Sequence, residues 1–233
     1  MRIVMKISGE ALKNGSNISS SSLDKVLSEV RDISSKHELI IVCGGGNFWR
    51  GRNDLNIDSV ISDQVGMLAT VMNAIALQSY FNLNGVSASC YSSFEVSGII
   101  KKDNFTDVNA DLKAGKVVIF GGGLGTPNLS TDMTTVSKAC EYDSDLILMA
   151  KNVDAIYDRD PKLDGARRIK ELSHLELFNM SVGQGVSSLM ILDIEAMAKL
   201  VKYEIPMYVY NSNMVSNLDD VLSGKVGTRV ITE

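Results

Sequence analysis

The sequence predicts an α/β protein whose mostly parallel β-sheet is covered by helices on both faces. Short apolar runs alternate with amphipathic stretches along the chain, which is the pattern of successive βαβ units. Three of these runs end in glycine or small polar residues, where sheets of this kind bind ligands. No low-complexity linker divides the 233 residues and no internal repeat stands out, so we expect a single domain over residues 1–233.

The first 83 residues supply two strands and two helices. An apolar run at residues 3–8 predicts the first strand, and a polar loop at 13–22 follows it. Apolar residues then recur at helical spacing over residues 23–35, at Leu23, Val26, Leu27, Val30 and Ile33. Residues 39–43 (LIIVC) form a short, continuous apolar strand. The longest helix candidate covers residues 62–83, with one stripe at Val65, Leu68, Met72 and Ile75.

The rest of the chain, from residue 86 onward, repeats the alternation. Further strands are predicted at residues 86–90, 117–120, 145–150, 206–210 and 228–232. Further helices are predicted at residues 131–142, 190–202 and 218–222. Helices that separate strands allow the strands to run in the same direction, and this order therefore favours a parallel sheet.

Composition and charge exclude several functional classes. The net charge is −5 and no block of five or six basic residues occurs, which disfavours binding to nucleic acid through a broad positive face. No apolar run approaches the roughly 18 residues of a membrane span, and residues 1–7 lack the apolar core of a signal peptide. We therefore expect a cytoplasmic protein with no membrane partner, which holds any anionic ligand with local amides and few cations.

Cysteine and histidine offer little chemistry. The three cysteines, Cys43, Cys90 and Cys140, are far apart and form no CxxC motif, which supports neither a zinc site nor a disulfide framework. We expect them to be buried thiols. The two histidines, His37 and His174, lie outside every glycine-rich cluster, and we expect surface or capping roles for them.

Three strand ends carry the informative motifs. They are KISGEA (residues 6–11), CGGGNFWRG (43–51) and FGGGLGTPNLSTD (120–132). Glycines after a strand let the backbone approach a ligand and direct N–H groups at anionic oxygens. Neither GxxxxGK[ST] nor GxGxxG is present, so a P-loop and a dinucleotide site are both unsupported.

Two cations and two carboxylates near these motifs each allow two interpretations. Lys6 is either an edge-strand charge or an ammonium that binds phosphate oxygens, and Arg50 is either a solvated loop residue or a second phosphate ligand. Asp132 either complements a helix dipole or orients a nearby lysine or metal. Asp63 either opens the long helix or accepts hydrogen bonds from sugar hydroxyls. Tyr157 could stack on a base or pack in the core.

Taken together, the motifs resemble a known family. MKISGEAL, GGGNFWRG, DQVGMLATVMNAIALQ, GTPNLSTD and NVDAIYDRDP look like the bacterial uridylate kinases (UMP kinases) of the amino acid kinase superfamily, and the resemblance runs to the final GTRVITE. It implies a three-layer αβα sandwich around a largely parallel eight-stranded sheet, the amino acid kinase or carbamate kinase-like fold. It also implies transfer of the ATP γ-phosphoryl group to UMP in a homohexamer, with Mg²⁺ held mainly by the nucleotide phosphates rather than by protein ligands. UTP is then an expected inhibitor.

The resemblance assigns roles residue by residue. It implies catalysis by Lys6, Arg50 and Asp132, with Lys6 stabilising transition-state charge and Asp132 fixing its orientation. The residues implied to contact ATP are Lys6, Ile7, Ser8, Gly9, Gly46, Arg50, Lys151, Asn152, Tyr157 and Asp160. Those implied to contact UMP are Gly45, Asp63, Leu124, Gly125, Thr126, Pro127, Asn128, Leu129, Ser130 and Thr131. Asp193 matches a family aspartate, although helix capping explains it equally well.

The chain departs from the family pattern in two loops. The family usually has GTGNPFFTTD where this chain has GLGTPNLSTD, so that Ser130 and Thr131 keep the hydroxyl pair while two aromatic residues are lost. We expect the phosphate to be bound and UMP affinity to be weaker. The loop after GEAL, which the family associates with activation by GTP, is short and has no aromatic residue here. We therefore expect weak or absent activation by GTP.

Three alternatives are less well supported. A kinase for an amino-acid carboxylate or carbamate would need a different acceptor motif from DQVGMLATVMNAIALQ. A non-catalytic nucleotide-binding module would be favoured by the loss of Lys6 or Asp132, and both are present. A pyridine-nucleotide oxidoreductase lacks its fingerprint.

Overall fold

A computed structural model describes residues 1–51, 57–151, 153–183, 192–211 and 218–232. Its centre is an eight-stranded sheet in the order β3-β4-β2-β1-β5-β9-β10-β8. The strands are β1 (Arg2–Ile7), β2 (Glu38–Cys43), β3 (Ala88–Ser92), β4 (Val117–Gly121), β5 (Leu146–Lys151), β8 (Glu171–Ser173), β9 (Met207–Asn211) and β10 (Thr228–Ile231). Two short strands, β6 (Ile156–Tyr157) and β7 (Arg168–Ile169), pair separately as an antiparallel ribbon.

Six neighbouring strands, from β3 to β9, are parallel. β10 runs antiparallel to β9, and β8 is parallel to β10. The predicted fold class, a largely parallel eight-stranded sheet in an α/β fold, is confirmed, and each of the seven predicted strands corresponds to an observed one within two residues at either end.

Helices cover both faces of the sheet. They are α1 (Ser20–Ser34), α2 (Ser59–Leu83), α3 (Phe105–Lys113), α4 (Thr131–Glu141), α5 (His174–Gly183), α6 (Ile194–Tyr203) and α7 (Leu218–Leu222), with a 3-10 turn at Gly9–Leu12. One apolar core lies beneath α1, α2 and α7, and a second beneath α3, α4, α5 and α6. Both faces of the sheet are therefore buried, which explains the continuous apolar runs at residues 39–43 of β2 and 146–150 of β5.

Strand alternation decides which residues reach each core. Ile3, Met5 and Ile7 of β1 pack in the core beneath α1 and α2, whereas Val4 packs in the core beneath α4. Because successive side chains point to opposite faces, Lys6 lies on the α4 face of the sheet. The same alternation in β5 places Lys151 on that face, beyond Ile147 and Met149. Two cations thus approach α4 from adjacent strands.

α2 differs most from its prediction. The residues that pack it on the sheet include Ala74, Leu77 and Phe81, all fully buried. The stripe noted in the sequence faces the other way, with Leu68 48% exposed and Met72 51% exposed. α2 is long and apolar enough to cross a membrane, the only such helix in the described part of the chain, but it contributes its other face to the core of the sheet.

Several shorter elements were missed or misplaced. α3, α5, β6, β7 and β8 were not predicted. The helix expected at residues 190–202 begins at Ile194 in the described residues, where Asp193 accepts a 2.7 Å hydrogen bond from the Ala196 amide as its N-cap. His174 is not a surface residue, since it is 5% exposed and its Nε2 lies 2.9 Å from the Ile205 carbonyl. Cys43 is buried as expected, and Cys90 and Cys140 are only partly buried.

Candidate active site

The turns that follow β1, β2 and β4 meet the start of α4 at the carboxyl ends of the parallel strands. β1, β2 and β4 end in the motifs at Lys6–Gly9, Gly44–Gly46 and Gly121–Gly123. The first two turns touch directly, because a Cβ atom on Gly9 would lie 2.6 Å from the amide nitrogen of Gly46. Glycine is required at this contact, since any side chain would overlap backbone atoms.

α2 packs against the same turns. A Cβ atom on Gly45 would lie 2.9 Å from the carbonyl oxygen of Gly66 in α2, and one on Gly121 would lie 2.8 Å from the Cα atom of Val71. In the third turn, Gly122 and Gly123 have φ values of 77° and 58°, in the left-handed region that favours glycine. The turns after β2 and β4 therefore both pack closely against α2.

The turns, α2 and α4 enclose a cavity of about 240 Å³. Several residues predicted to contact UMP line it, namely Gly45, Asp63, Thr126, Leu129, Ser130 and Thr131. Gly46, predicted to contact ATP, lines it as well. Leu124, Gly125, Pro127 and Asn128 belong to the same loop without lining the cavity. The structure thus places Thr126, Leu129, Ser130 and Thr131 of the predicted UMP loop around one cavity.

Sequence reasoning missed part of the cavity wall. Trp49, Gly51, Ser62, Gly66, Met67, Thr70, Gly123 and Thr134 also line it. Ser62, Gly66 and Thr70 recur every four residues on α2, and a row of small residues at helical spacing could have revealed this wall. Trp49 donates a 3.1 Å hydrogen bond to the Ser62 hydroxyl. This bond attaches the segment after the Gly44–Gly46 turn to α2.

A larger cavity, of about 670 Å³, lies at the other end of the sheet. Its walls include Arg2, Glu38, Lys113 and Asp145, near the beginnings of β1, β2 and β5. Ligands of parallel sheets bind at the carboxyl ends of the strands, where the glycine turns are also found. We therefore place the active site at the smaller cavity.

Beside the smaller cavity, one carboxylate lies between two ammonium groups. Asp132, the second residue of α4, has Lys6 Nζ 3.0 Å from its Oδ1 and Lys151 Nζ 2.7 Å from its Oδ2. The Lys6 contact is an ion pair that lacks hydrogen-bond geometry, while Lys151 donates a hydrogen bond. All three side chains are at most 17% exposed.

The three groups shift one another's ionisation. Burial would raise the pKa of Asp132, but the two ammonium groups outweigh it and hold that pKa below its ordinary value. Burial, aided by repulsion from Lys6 and opposed by Asp132, lowers the pKa of Lys151 to about 8. The cluster carries one net positive charge when all three groups are ionised, which suits it to an anionic ligand.

The remaining predicted ATP residues divide into two groups. Ser8 caps the 3-10 turn next to Lys6, and the exposed Arg50 pairs with Glu10, with 2.6 Å between Arg50 Nη2 and Glu10 Oε1. Glu10 had not been predicted. Tyr157 and Asp160 make local contacts instead: the Tyr157 hydroxyl lies 3.1 Å from the Asp154 carboxylate, and Asp160 accepts from the Lys162 amide at 3.0 Å. Asn152 lies outside the described residues.

Two carboxylates organise the predicted acceptor loop. Asp63 accepts a 2.6 Å hydrogen bond from the amide of Asn128, whose φ is 64°. Ser130 caps α4 by accepting from the Met133 amide at 2.9 Å, and its hydroxyl donates to Asp193. Asp193 thus caps α6, as the capping interpretation expects, and also contacts the cap of α4.

Comparison with known proteins fits this geometry. Residues 1–211 match the model of the amino acid kinase family. The chain belongs to the amino acid kinase family. It is 37% identical to a uridylate kinase of Pediococcus pentosaceus over 237 aligned positions, which cover 98% of this chain and 95% of that protein.

Solved structures of family members superimpose over almost the whole chain. UMP kinase from Ureaplasma parvum matches with a TM-score of 0.89 and 31% identity, covering 99% of this chain and 98% of that one. UMP kinase from Bacillus anthracis matches with a TM-score of 0.90 and 29% identity, covering 100% and 96%. Uridylate kinase from Archaeoglobus fulgidus, at 23% identity and a TM-score of 0.73, shares the fold.

Proposed function

We propose that this amino acid kinase family member transfers the γ-phosphoryl group of ATP to UMP and releases UDP and ADP. The observation that carries the proposal is the Lys6–Asp132–Lys151 cluster beside a cavity lined by Gly45, Gly46 and the Ser130–Thr131 hydroxyls. The similarity to uridylate kinases of two bacterial genera over nearly the full chain supports the choice of UMP as acceptor.

Phosphoryl transfer requires positioning and charge neutralisation more than covalent chemistry. In our proposal, Lys6 stabilises the negative charge that develops on the transferred phosphoryl group. Lys151 contributes a second ammonium, and Asp132 holds both cations at a fixed distance while preventing their mutual repulsion from separating them. Arg50 and the amides of Ser8, Gly9 and Gly46 bind the donor phosphates, next to Ile7. Tyr157, Asp160 and Asn152 are proposed to contact the rest of ATP.

The acceptor is assigned to the enclosed cavity. Gly45 and the loop from Leu124 to Thr131 are proposed to surround UMP, with its phosphate at Ser130 and Thr131. Asp63 is proposed to accept from the ribose, in addition to holding the Asn128 amide. Ser130, Thr131 and Thr134, at the N-terminus of α4, line the same cavity, and a helix N-terminus favours a bound phosphate.

Mg²⁺ is proposed to enter as part of the MgATP substrate. In the described ranges, no three His, Cys, Asp or Glu side chains stand close enough to form a metal site. Both oxygens of Asp132 face lysines, so the phosphates themselves would supply most of the metal's ligands. When bound, the cation would neutralise phosphate charge during transfer.

We also propose that the chain is a single cytoplasmic domain that assembles as a homohexamer. The exposed apolar stripe of α2, with Ile61, Leu68 and Met72, supports burial against another copy. Inhibition by UTP is proposed from the family resemblance. Because the loop at residues 13–19 is short and polar, we propose little or no activation by GTP. A several-fold increase in rate with GTP at subsaturating ATP would contradict this.

A coupled ADP-release assay with MgATP tests the function. UMP should be phosphorylated in preference to CMP, dUMP, AMP and GMP, and the Lys6→Ala variant should lose most of this activity. Glutamate, aspartate and carbamate serve as alternative acceptors. Turnover of one of these, with UMP inert, would refute the proposal and would point to another activity of the same family.

A further inference from the structure

The buried face of α2 contains an amide side chain in the middle of an apolar core. Asn73 is 0% exposed and lies one position from Ala74, in the helix that packs on β2 and β4. An amide in such a place is strongly unfavourable unless its donors and acceptor are hydrogen-bonded. Asn73 also does not line the cavity, so the bonds that it makes must explain its presence.

All of those bonds go to Gly44 and Asn47, in and just after the glycine turn that follows β2. Asn73 Nδ2 donates to the Gly44 carbonyl at 2.6 Å and to Asn47 Oδ1 at 2.8 Å, while Asn73 Oδ1 accepts from Asn47 Nδ2 at 2.9 Å. The second hydrogen of Asn47 Nδ2 goes to the Asn17 carbonyl at 2.7 Å. The two amides therefore form a reciprocal pair, and every N–H of both side chains is used.

The pair lies where the turns after β1 and β2 meet. The Gly44 amide donates to the Ile7 carbonyl at 2.8 Å, and a Cβ atom on Gly9 would lie 2.4 Å from Asn47 Oδ1. Movement of Asn47 would therefore displace the Ser8–Gly9 backbone as well as Gly46. Lys6 is in β1, two residues before Ser8.

Three residues before Asn73, Thr70 of α2 binds the glycine turn that follows β4. The Thr70 hydroxyl accepts from the Gly122 amide at 2.7 Å and donates to the Met67 carbonyl at 2.7 Å. Residues three apart lie on the same side of a helix. One side of α2 thus fixes both the turn after β2 and the turn after β4.

We infer that Asn73 is a positioning residue for phosphoryl transfer, acting through Asn47 and the Gly44 carbonyl to set the distance between the donor turns and the acceptor cavity. The inference rests on the proposed function. Transfer between two bound phosphates depends steeply on their separation and alignment. Asn73 does not line the cavity, so its loss should misplace the reacting groups without removing a side chain from the cavity wall.

The test compares Asn73 with a second asparagine of the same helix. Asn82 also bonds backbone, accepting from the Ala88 amide at 2.9 Å and donating to the Ala88 carbonyl at 3.1 Å, but it lies at the far end of α2. Asn73→Leu fills the same site in the core with an apolar side chain. We expect it to lower kcat by about 10- to 100-fold. KM for ATP and for UMP should change much less than kcat, because transfer depends more steeply than phosphate binding on a small displacement of these turns. Asn82→Ala should keep kcat within about twofold.

Trp49 offers a readout that does not require activity. It is the single tryptophan of the chain, it lies three residues after the Gly44–Gly46 turn, and its amide donates to the Gly45 carbonyl at 3.0 Å. Its fluorescence emission should change in Asn73→Leu and in Asn47→Ala, and should match that of the parent in Asn82→Ala. Thermal unfolding of each variant identifies a temperature at which all are folded.

The outcomes separate the inference from the function on which it rests. If the parent does not phosphorylate UMP, the proposed function fails, and the Trp49 comparison still tests the link between Asn73 and the turn. A folded Asn73→Leu with parental kcat, or with the same Trp49 emission as the parent, would overturn the inference. A kcat loss in Asn82→Ala as large as that in Asn73→Leu would also overturn it.

Discussion

Oδ2 of Asp132 accepts a 2.7 Å hydrogen bond from the ammonium group of Lys151, 19 positions further along the chain. Lys6 lies on the other side of the same carboxylate, on the strand next to that of Lys151. Two like charges can be kept this close in a nearly buried site only if an opposite charge lies between them. We therefore propose that the carboxylate holds the cations in place rather than carrying out proton transfer.

Replacement of Asp132 by Asn keeps its shape and removes the charge that separates the lysines. We expect kcat to fall by about 10²- to 10³-fold, which is typical when one preorganised electrostatic contact is lost. The free energy of unfolding should fall by about 3 kcal/mol, because the cations become uncompensated. Steady-state kinetics and urea unfolding measure the two effects.

The exposed pair of Arg229 and Glu171 is the control for this substitution. Glu171→Gln should change the free energy of unfolding by less than about 1 kcal/mol, as is usual for surface ion pairs, and should leave kcat unchanged. Equal effects of the two substitutions would contradict the role given to Asp132.

The sequence places Lys6 and Asp132 at the same edge of the sheet, whereas their pairing was implied by the family resemblance. A lysine in an apolar strand before Ser-Gly, and an aspartate at the start of a helix after a glycine turn, both belong at the carboxyl ends of strands. Lys151 was predicted to contact the adenine nucleotide, and its position against Asp132 could not be foreseen. It depends on β5 lying beside β1, a neighbour relation between residues over 140 positions apart that no local pattern contains.

The exposed stripe of α2 exposes a second limit of sequence patterns. Apolar spacing shows that a helix has an apolar side, but not whether the sheet or another chain will cover it. α2 is apolar on both sides, and packing chose the side with Ala74 and Leu77. The β6–β7 ribbon and β8 were missed because strands of two or three residues give too short a pattern to recognise.

Lys151 should make the reaction sensitive to alkaline pH. With a pKa of about 8, it is mostly charged at pH 7 and loses its proton as the pH rises through 8. Activity that needs the ammonium is therefore present below this pH and lost above it. We expect kcat/KM to decline by about tenfold per pH unit above 8, and Lys151→Arg, which stays charged, should be lower in activity but flat up to pH 9.5. A flat parental profile between pH 7 and 9.5 would exclude this role.

Asp63 should affect UMP and leave ATP unaffected. Asp63→Ala removes the acceptor of the Asn128 amide and frees a loop that contains a non-glycine residue with positive φ. Hydrogen bonds to a charged group contribute about 1.5–3 kcal/mol, so KM for UMP should rise about tenfold or more. KM for ATP should stay within about twofold, and Asp63→Asn, which keeps an acceptor oxygen, should give a smaller rise. A larger change in the KM for ATP than in that for UMP would contradict the placement of the acceptor.

Leu68 should control self-association. Leu68→Glu places a charge in the centre of the exposed α2 stripe, where burial against another copy would strip it of water. We expect light scattering after size-exclusion chromatography to show smaller species than for the parent. Leu175, 52% exposed on α5, is the matched site, and Leu175→Glu should keep the parental mass. Dissociation by Leu175→Glu, with Leu68→Glu unaffected, would move the interface away from α2.

Glu29 should make folding stability depend on pH. Burial raises its pKa from 4.5 to about 7, although a hydrogen bond from the Tyr210 hydroxyl opposes the shift. Between these two pH values the native state holds a proton that the unfolded chain has released, so stability falls as the pH rises from 4.5 to 7. Glu29→Gln keeps an acceptor for Tyr210 and carries no charge. It should therefore unfold like the parent at pH 4.5 and be more stable by on the order of 2 kcal/mol at pH 8. Urea unfolding at the two pH values measures the difference, and equal stabilities of the two proteins at pH 8 would show that the carboxylate is not held in a desolvated site.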